Sequence, residues 1–392
     1  MAARMTNSQE RAPFSVAGLF AGIGGLELGL QRAGHHTALL CENDAAAVAV
    51  LKARFPSVKL HGDVCTLRNL PTSTTLLAAG FPCQDLSQAG RASGISGQRS
   101  GLVGEVLRLA KANRVPWLLL ENVPFMLQLD RGAAMRFITT SLEKLGYSWA
   151  YRVVDTRSFG LPQRRRRVYL VASLDDDPRR VLCADDAAPS AEFVTVEDVA
   201  KGFYWTEGSR GLGWAVDGIP TLKGGSGLGI PSAPAILLPN GLVGTPDIRD
   251  AERLQGFPSE WTKPAEQSSR RSARWKLVGN AVSVPAARWL GRRLMRPGKV
   301  LDFATRCLEE QSAWPAAAWN VGQGRVRVDA SEWPVQRPYK SLEHFLRFPL
   351  HPLSVKATSG FLSRARRATL KFEMGFLDAV EQHAYFMSRE TT

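Results

Sequence analysis

The stretch Leu76-Leu77-Ala78-Ala79-Gly80-Phe81-Pro82-Cys83-Gln84 carries an apolar run into a glycine, a proline and a cysteine. The apolar residues predict a short buried strand, and the cysteine follows its carboxyl end, where open α/β sheets bind ligands. Gly80 allows close backbone approach and Pro82 stiffens the loop. Cys83 is therefore either a nucleophile, if its surroundings favour the thiolate, or a small buried hydrophobic residue.

Segments that predict strands and helices alternate on both sides of this stretch. The apolar runs that predict strands cover residues 14–20, 36–42, 115–120, 149–154 and 167–172. Apolar residues at helical spacing lie between them, as at Leu102, Val103, Val106, Leu107 and Ala110. This alternation is typical of a parallel sheet covered by helices on both faces.

The composition favours a polyanionic partner. The 392 residues include 50 Lys and Arg against 36 Asp and Glu, a net charge of +14. Such an excess is typical of nucleic-acid binding, although it also serves solubility. Five scattered cysteines without a CxxC pair predict neither a metal site nor disulfides. The sequence has no apolar run long enough to span a bilayer and no apolar core of a signal peptide. We therefore predict that the protein is located in the bacterial cytoplasm and nucleoid, without a membrane partner.

The character of the chain changes after Leu174. Residues 175–189 are acidic like a linker, and residues 193–244 are rich in glycine and proline without helical periodicity. An amphipathic pattern returns before Arg293. The predicted division is a flexible arm at 1–13, an α/β domain at 14–174, a smaller irregular or β-rich domain at 175–248, a return to the first domain at 249–296 and a C-terminal extension at 297–392.

Three features near the predicted strand ends suit an adenosine. Gly22-x-Gly24-Gly25 follows the first strand and precedes a helix, as in nucleotide-binding loops. Glu42 ends the next strand, where an acid can hold ribose hydroxyls. Asp63 follows another short element and could accept from an adenine amino group. Taken singly, the loop could be a plain tight turn and the acids could be surface residues.

Two further patterns supply charge at strand ends. Glu121 ends an apolar strand, so partial burial would raise its pKa and let it share a proton with a ring nitrogen; otherwise it is a structural acid that caps a helix. Strand alternation sends Arg165 and Arg167 to one face and Arg164 and Arg166 to the other. One of these pairs could reach an active site, although a charge run is commonly a solvated face.

Together these motifs resemble the C5-cytosine DNA methyltransferase family, in family order, from Phe14 to Arg293. The resemblance implies a Rossmann-like S-adenosylmethionine-dependent domain with a target-recognition domain at 175–248. The matching motifs are Phe20-Ala21-Gly22-Ile23-Gly24-Gly25, Glu42, Asp63, Gly80-Phe81-Pro82-Cys83-Gln84, Glu121-Asn122-Val123, Gln163-x-Arg165-x-Arg167-Val168, Arg253-Leu254-Gln255-Gly256-Phe257-Pro258 and Gly279-Asn280-Ala281-Val282.

The family's chemistry gives these residues expected roles. Cys83 would add to C6 of a flipped-out cytosine, and Glu121 would bind N3 and the exocyclic amine. Arg165 and Arg167 would hold the base oxygen and help to position Cys83. The donor would be S-adenosyl-L-methionine, leaving S-adenosyl-L-homocysteine. The residues that the resemblance assigns to the cofactor are Phe20, Ala21, Gly22, Ile23, Gly24, Gly25, Glu42, Asn43, Asp63, Val64, Gly80, Pro82, Leu102, Asn280, Ala281 and Val282.

The resemblance also implies duplex DNA as the partner. The polar loop at 88–100 would close over the flipped base. The DNA-binding residues would be Gln84, Ser87, Gln88, Arg91, Arg99, Arg164, Arg210 and Lys223. We predict a monomer that methylates DNA in a restriction-modification or phage-defence system. The alternatives are an RNA (tRNA) cytosine-C5 methyltransferase and a catalytically silent DNA-binding regulator.

The extension has its own alternatives. A basic amphipathic stretch begins at Phe361-Leu362-Ser363-Arg364-Ala365-Arg366-Arg367. The favoured interpretation is a helix packed on the catalytic domain with a solvated basic face. The functional interpretation is extra DNA contact, or docking to another protein of the defence system.

Overall fold

The centre of the molecule is a sheet whose first five strands are parallel. The computed structural model describes residues 10–82, 101–188, 199–225, 233–270 and 272–390. The amino-terminal strands are β1 (Ser15–Leu19), β2 (His36–Cys41), β3 (Lys59–His61), β4 (Leu76–Gly80) and β5 (Trp117–Asn122). The helices between and after them are α1 (Gly25–Gln31), α2 (Ala45–Arg54), α3 (Gly101–Asn113) and α4 (Ala133–Lys144). The strand order is β3-β2-β1-β4-β5, all parallel.

Beyond β5 the sheet is mixed, so the expectation of a purely parallel sheet is wrong. The next strands are β6 (Ser148–Asp155), β7 (Gln163–Arg164) and β8 (Arg166–Ser173). Strand β8 lies between β5 and β6 and is antiparallel to both. The connection from β6 to β8 is short, and parallel neighbours need a crossover of roughly a dozen residues or more. The chain therefore turns back along the sheet.

Apolar layers cover both faces of the central strands. Leu77 and Ala79 of β4 pack with Val106 of α3, whereas Leu76 and Ala78 pack with Leu30 of α1. All four β4 residues are fully buried. Burial on both faces explains why this strand is a continuous apolar run rather than an alternating one. The α/β fold predicted from the sequence is confirmed.

A buried acid lies beneath the turn that joins β1 to α1. Glu27 is 1% exposed, and neither carboxyl oxygen has a hydrogen-bond partner among the described residues. A Cβ at Gly18 would overlap its carboxyl group, so only glycine fits at that position of β1. Burial raises the pKa of Glu27 to about 7, and the charge of Glu42 adds to the shift.

Glu27 is expected to make stability fall as the pH rises. The pKa is about 4.5 unfolded and about 7 folded, so the native state holds an extra proton in this window and loses stability across it. Between about pH 4.5 and pH 8 the wild type should therefore lose about 3 kcal/mol of unfolding free energy relative to Glu27→Gln, which does not titrate at this position. Urea denaturation measures this, with exposed Glu309→Gln as the control; parallel pH curves for all three proteins would contradict it.

A second, antiparallel sheet follows in the chain. Its region contains α5 (Arg179–Leu182), β9 (Lys201–Phe203), β10 (Trp214–Val216), β11 (Ile219–Pro220), β12 (Ala235–Leu237) and β13 (Val243–Thr245). Strands β10-β9-β12-β13 are neighbours, and β11 pairs with β7 instead. The chain then forms α6 (Ile248–Leu254), α7 (Ala273–Asn280) and α8 (Val284–Met295). Leu290 and Leu294 of α8 return to the apolar layer that contains α1.

The predicted extension at 297–392 is divided between the two sheets. Its elements are β14 (Thr305–Cys307), β15 (Ala317–Asn320), β16 (Val326–Val328), α9 (Leu342–Phe345), β17 (His351–Pro352), α10 (Val355–Ala365) and α11 (Phe376–Glu390). Strand β15 pairs with β6 and extends the main sheet to ten strands in the described ranges, whereas β17 pairs with β13 in the second sheet.

The helix that contains Phe361 does not pack on the catalytic domain, so that expectation is wrong. The ring of Phe361 lies 4.6 Å from that of Phe203 in β9, and Phe376 of α11 joins the same cluster. The helix follows β17 directly, so the antiparallel sheet that β17 completes is the nearest apolar face.

The start of the described chain is held against the main sheet. The Arg11 amide donates to the Met295 carbonyl, and its guanidinium lies 4.7 Å from the Trp117 ring. Of the arm predicted at 1–13, residues 1–9 lie outside the described residues, and Arg11 is anchored rather than free. In the part of the chain described here, no helix has the length and apolar character to cross a bilayer.

Candidate active site

A cavity of about 560 Å³ opens at the carboxyl ends of the parallel strands. It lies where β1 has β2 on one side and β4 on the other, the position at which doubly wound sheets bind ligands. Eleven of the predicted cofactor residues line it, namely Phe20, Gly22, Glu42, Asn43, Asp63, Val64, Gly80, Pro82, Leu102, Asn280 and Ala281.

The remaining predicted cofactor residues, Ala21, Ile23, Gly24, Gly25 and Val282, are not among the lining residues. They support the loop without lining the cavity. Gly24, with φ +80, is the N-cap residue of α1, and a Cβ there would overlap the Phe55 ring. The Ile23 carbonyl accepts from the Trp261 indole N–H at 2.9 Å.

Glu42 connects the glycine loop to the end of β2. Its Oε2 accepts from the Gly22 amide at 2.7 Å, and its Oε1 accepts from the amides of Asn43 and Asp44 at 2.9 Å each. Three backbone donors therefore fix the carboxylate at the cavity wall. Asp63, which follows the neighbouring β3, lines the same wall and accepts from the Cys65 amide at 2.9 Å. The two carboxylates present hydrogen-bond acceptors suited to hydroxyl and amino groups.

The opposite wall holds a buried acid beside an arginine. Glu121 is the next-to-last residue of β5 and is 7% exposed. The Arg167 Nε lies 3.1 Å from its Oε1. Burial raises the pKa of Glu121, while the charges of Arg167 and Arg165 oppose the shift. This carboxyl group holds a proton more readily than an ordinary glutamate does, and it does so in the wall of the cavity.

The arginine run alternates as expected, but its two buried members differ. Arg165 and Arg167 are buried, whereas Arg164 and Arg166 are exposed. Only Arg167 lines the cavity. The Arg165 guanidinium instead donates to three carbonyl oxygens, those of Leu222 at 3.1 Å, Gly279 at 3.2 Å and Ala281 at 2.6 Å.

Arg165 therefore ties the segment around Leu222 to the loop at 279–281. Its burial, together with repulsion from Arg167, lowers the pKa of its guanidinium to about 9, which leaves it charged at neutral pH. Both Nη atoms of Arg165 already have protein acceptors, its buried Nε has no partner among the described residues, and Arg165 does not line the cavity. The prediction that Arg165 reaches the base therefore gains no support from this geometry.

Two residues without a predicted role hold the site together. Asn122 donates from Nδ2 to the Phe81 carbonyl at 3.0 Å, which fixes the chain just before Pro82. Gln163 is fully buried; it accepts from the Leu222 amide at 3.0 Å and donates to the Leu254 carbonyl at 2.8 Å. Both residues belong to the motifs quoted above, Glu121-Asn122-Val123 and Gln163-x-Arg165. Nothing in those motifs indicated that the two side chains bind backbone groups.

Several predicted residues lie outside the described residues: Cys83, Gln84, Ser87, Gln88, Arg91 and Arg99. The predicted lid at 88–100 lies there as well. Among the predicted DNA contacts that are described, Arg164 and Arg210 are exposed. Lys223 pairs with Glu207 at 3.1 Å and lies 3.8 Å from the Tyr204 ring.

The fold and the cavity define an α/β protein with a site at the carboxyl ends of its parallel strands, in which a buried glutamate of raised pKa lies beside an arginine. The family model "C-5 cytosine-specific DNA methylase" matches residues 14–207. The type II methyltransferase M2.BsuMI of Bacillus subtilis is 48% identical over 381 residues, covering 94% of this chain and 97% of that protein. M.HaeII of Haemophilus aegyptius is 31% identical over 316 residues, covering 74% and 94%. The crystal structure of the S. pombe Dnmt2 methyltransferase has a TM-score of 0.52 at 17% identity, covering 72% and 98%, and it shows the fold alone.

The chain belongs to the C-5 cytosine-specific DNA methylase family. It is an S-adenosylmethionine-dependent DNA (cytosine-5-)-methyltransferase, as the family resemblance implied. The family confirms the cofactor and the DNA substrate; the roles of individual residues stay predictions.

Proposed function

We propose that this enzyme is the modification methyltransferase of a restriction-modification system and methylates a cytosine flipped out of duplex DNA. The type II methyltransferases that it resembles support this setting. The observation that carries the chemistry is the Glu121–Arg167 pair, which lines the same cavity as Glu42 and Asp63. One cavity thus offers acceptors for an adenosine and a proton donor for a base.

The wall formed by Glu42, Asp63 and Gly22 fits S-adenosylmethionine. The two carboxylates would hold ribose hydroxyls and the adenine amino group, and the backbone at Gly22, with φ +54, leaves room for close approach. When bound, the cofactor supplies an electrophilic methyl group.

Cys83, together with Glu121 and Arg167 of the opposite wall, would activate the base. The Cys83 thiolate forms a bond to C6, and the electron pair of the C5–C6 double bond moves into the ring. Glu121 provides a proton at N3, and Arg167 donates to the base oxygen. C5 would then be nucleophilic and take the methyl group that S-adenosylmethionine supplies, with S-adenosylhomocysteine as the leaving group. Loss of the C5 proton to water, return of the N3 proton to Glu121 and cleavage of the C6–S bond would restore the aromatic ring and free the thiolate.

Arg165 acts as a positioning residue in this proposal. By joining Leu222 to the loop at 279–281, it holds Asn280 and Ala281 in the cavity wall. Strand β11, which follows β10 of the second sheet in the chain, pairs with β7, and the chain runs from β7 through Arg165 into β8, the strand that carries Arg167. DNA bound against the second sheet would thereby keep a fixed position relative to the base bound in the cavity.

Transfer of tritium-labelled methyl groups tests the proposed function. Duplex DNA should accept label and tRNA should not, and bisulfite sequencing of DNA from an expressing host should show one methylated sequence motif. Transfer to tRNA alone would favour the RNA enzyme. Failure to label either substrate, with the cofactor bound, would favour the silent regulator. We further infer a monomer that works in the bacterial cytoplasm; docking of a defence protein through residues 297–392 stays a prediction.

Glu42→Ala is expected to weaken S-adenosyl-L-homocysteine binding roughly 10- to 100-fold, since hydrogen bonds to a charged group contribute about 1.5–3 kcal/mol. The variant also releases the Gly22, Asn43 and Asp44 amides. Calorimetric titration measures the affinity, with Glu309→Ala on the exposed surface as the matched control. Equal affinities of the two variants would exclude the assigned role.

A further inference from the structure

A second cavity, about 490 Å³ in volume, is lined by a concentration of arginines. We call it the arginine cleft. Its lining residues come from four parts of the chain: the end of α1, the segment at Asp185, the last turns of α8 and the segment near residue 337. They are Arg32, Ala33, Asp185, Trp289, Arg292, Arg293, Met295, Arg296, Val335 and Arg337.

The cleft lies at the amino ends of the parallel strands, whereas the active site lies at their carboxyl ends. Arg32 and Ala33 precede β2, whereas Glu42, which follows β2, lines the cofactor cavity. A six-residue strand is about 20 Å long, so roughly this length of β2 lies between Ala33 in the cleft and Glu42 in the cofactor cavity. A base held beside Glu121 therefore leaves the arginine cleft unused.

Most of the positive charge in the cleft lacks a protein counter-charge. Asp185 is occupied by Arg293 and by the Trp289 indole. Arg296 pairs with Glu10 at 2.9 Å, but both side chains are more than half exposed, and such a pair contributes little. In the described ranges, Arg32, Arg292 and Arg337 have no acidic partner within 4.0 Å.

The arginines also repel one another. Partial burial and the neighbouring charges of Arg288, Arg337 and Arg296 lower the pKa of Arg292. Arg288 and Arg292 of α8 and Arg296, the residue that caps its carboxyl end, follow one another at intervals of four residues, and like charges at this spacing destabilise a helix. The negative end of the α8 dipole favours cations in its last turn, but it does not account for Arg32 and Arg337 on other segments.

We propose that the arginine cleft binds the phosphodiester backbone of DNA, apart from the contacts made at the target base. Four residues of helix rise about 6 Å, so the α8 arginines form a row that can follow a strand carrying one phosphate per about 3.4 Å of axis. An acidic protein fits less well. Among the described residues the exposed large apolar side chains lie elsewhere, at Phe125, Leu301, Met374, Tyr385 and Phe386, and Trp289 is 7% exposed.

The test removes two unpaired cleft charges and compares DNA binding with a matched variant. The cleft variant is Arg292→Gln with Arg337→Gln. The control is Arg306→Gln with Arg327→Gln, which removes two exposed charges from the edge strand β14 and its neighbour β16. Fluorescence anisotropy with a cytosine-free A·T duplex of about 60 base pairs, over a range of salt concentrations, measures affinity and salt dependence. Unchanged S-adenosyl-L-homocysteine affinity would show that each variant is folded.

Loss of two phosphate contacts should make the slope of log K against log salt shallower by about 1.8 and weaken binding roughly 60-fold at 0.1 M salt. A defect seen only with the long duplex means that the DNA bound at the active site extends to the cleft. If the wild type binds two duplexes of about 14 base pairs and the cleft variant binds only one, the cleft binds a separate segment of DNA. Equal DNA binding by the cleft and control variants would overturn the proposal. It would also be overturned if the cleft variant lost affinity only for poly-glutamate, which stands for an acidic protein.

Discussion

Glu121→Gln is expected to lower kcat for methyl transfer to DNA roughly 10²- to 10⁴-fold, the usual contribution of a positioned proton donor. The buried carboxyl group can give a proton to N3, whereas an amide keeps nearly the same shape and cannot. Cofactor affinity should change little, because Glu42 and Asp63 lie on the other wall of the cavity. Single-turnover transfer of labelled methyl groups, with calorimetry alongside, separates the two effects.

The pH profile supplies a second measurement for Glu121. Its pKa is raised in the folded protein, mainly by burial. The protonated fraction therefore falls as the pH rises through that raised pKa, and the kcat of the wild type should fall with it. Glu121→Gln should lack this limb, since the amide does not titrate.

A matched control exists in the same arginine run. Glu332 pairs with the exposed Arg166, so Glu332→Gln removes a carboxylate from an arginine partner away from the cavity. We expect near wild-type kcat from it. A Glu121→Gln enzyme as active as Glu332→Gln, with an unchanged pH profile, would exclude proton donation by Glu121.

Cys83→Ser is expected to reduce methyl transfer by about 10³-fold or more, because a serine hydroxyl is hardly ionised at neutral pH and is the weaker nucleophile. Cys83 follows Pro82, which lines the cavity, and the preceding Phe81 carbonyl is held by Asn122. DNA containing 5-fluorocytosine should trap a covalent complex with the wild type, since fluorine does not leave C5 as a proton does. Denaturing gel electrophoresis and peptide mass spectrometry would detect the adduct.

Cys307→Ser is the control for this experiment, because Cys307 is an exposed free thiol on β14. It should retain both methyl transfer and trapping. An adduct formed equally well by Cys83→Ser would show that another residue is the nucleophile.

Local sequence patterns were sufficient for the features that depend on neighbouring residues. The apolar run at 76–79, the glycines at 22–25 and Asp44, whose carboxylate caps α2, all act within a few residues of themselves. The alternation of the arginine run is also local, because a strand turns successive side chains to opposite faces. The order of the motifs along the chain was enough to identify the family.

The different roles of Arg165 and Arg167 could not be predicted in this way. Both are buried and only two residues apart, Arg165 in the break between β7 and β8 and Arg167 in β8. Yet one guanidinium is held by carbonyls 57 and 114 residues away, and the other lies beside Glu121. Only the packed chain brings Leu222 and Gly279 to Arg165. Its burial follows from those distant partners rather than from its neighbours.

The sequence by itself thus determined the strand and helix pattern, the glycine loop and the residue types of the active site. Tertiary structure decided the direction of β8, the division of residues 305–390 between two sheets, and the grouping of Arg32, Arg292 and Arg337 in one cleft. The physical reason is that side-chain periodicity records which face of an element is buried, whereas strand partners and charge clusters depend on contacts between segments far apart in the chain.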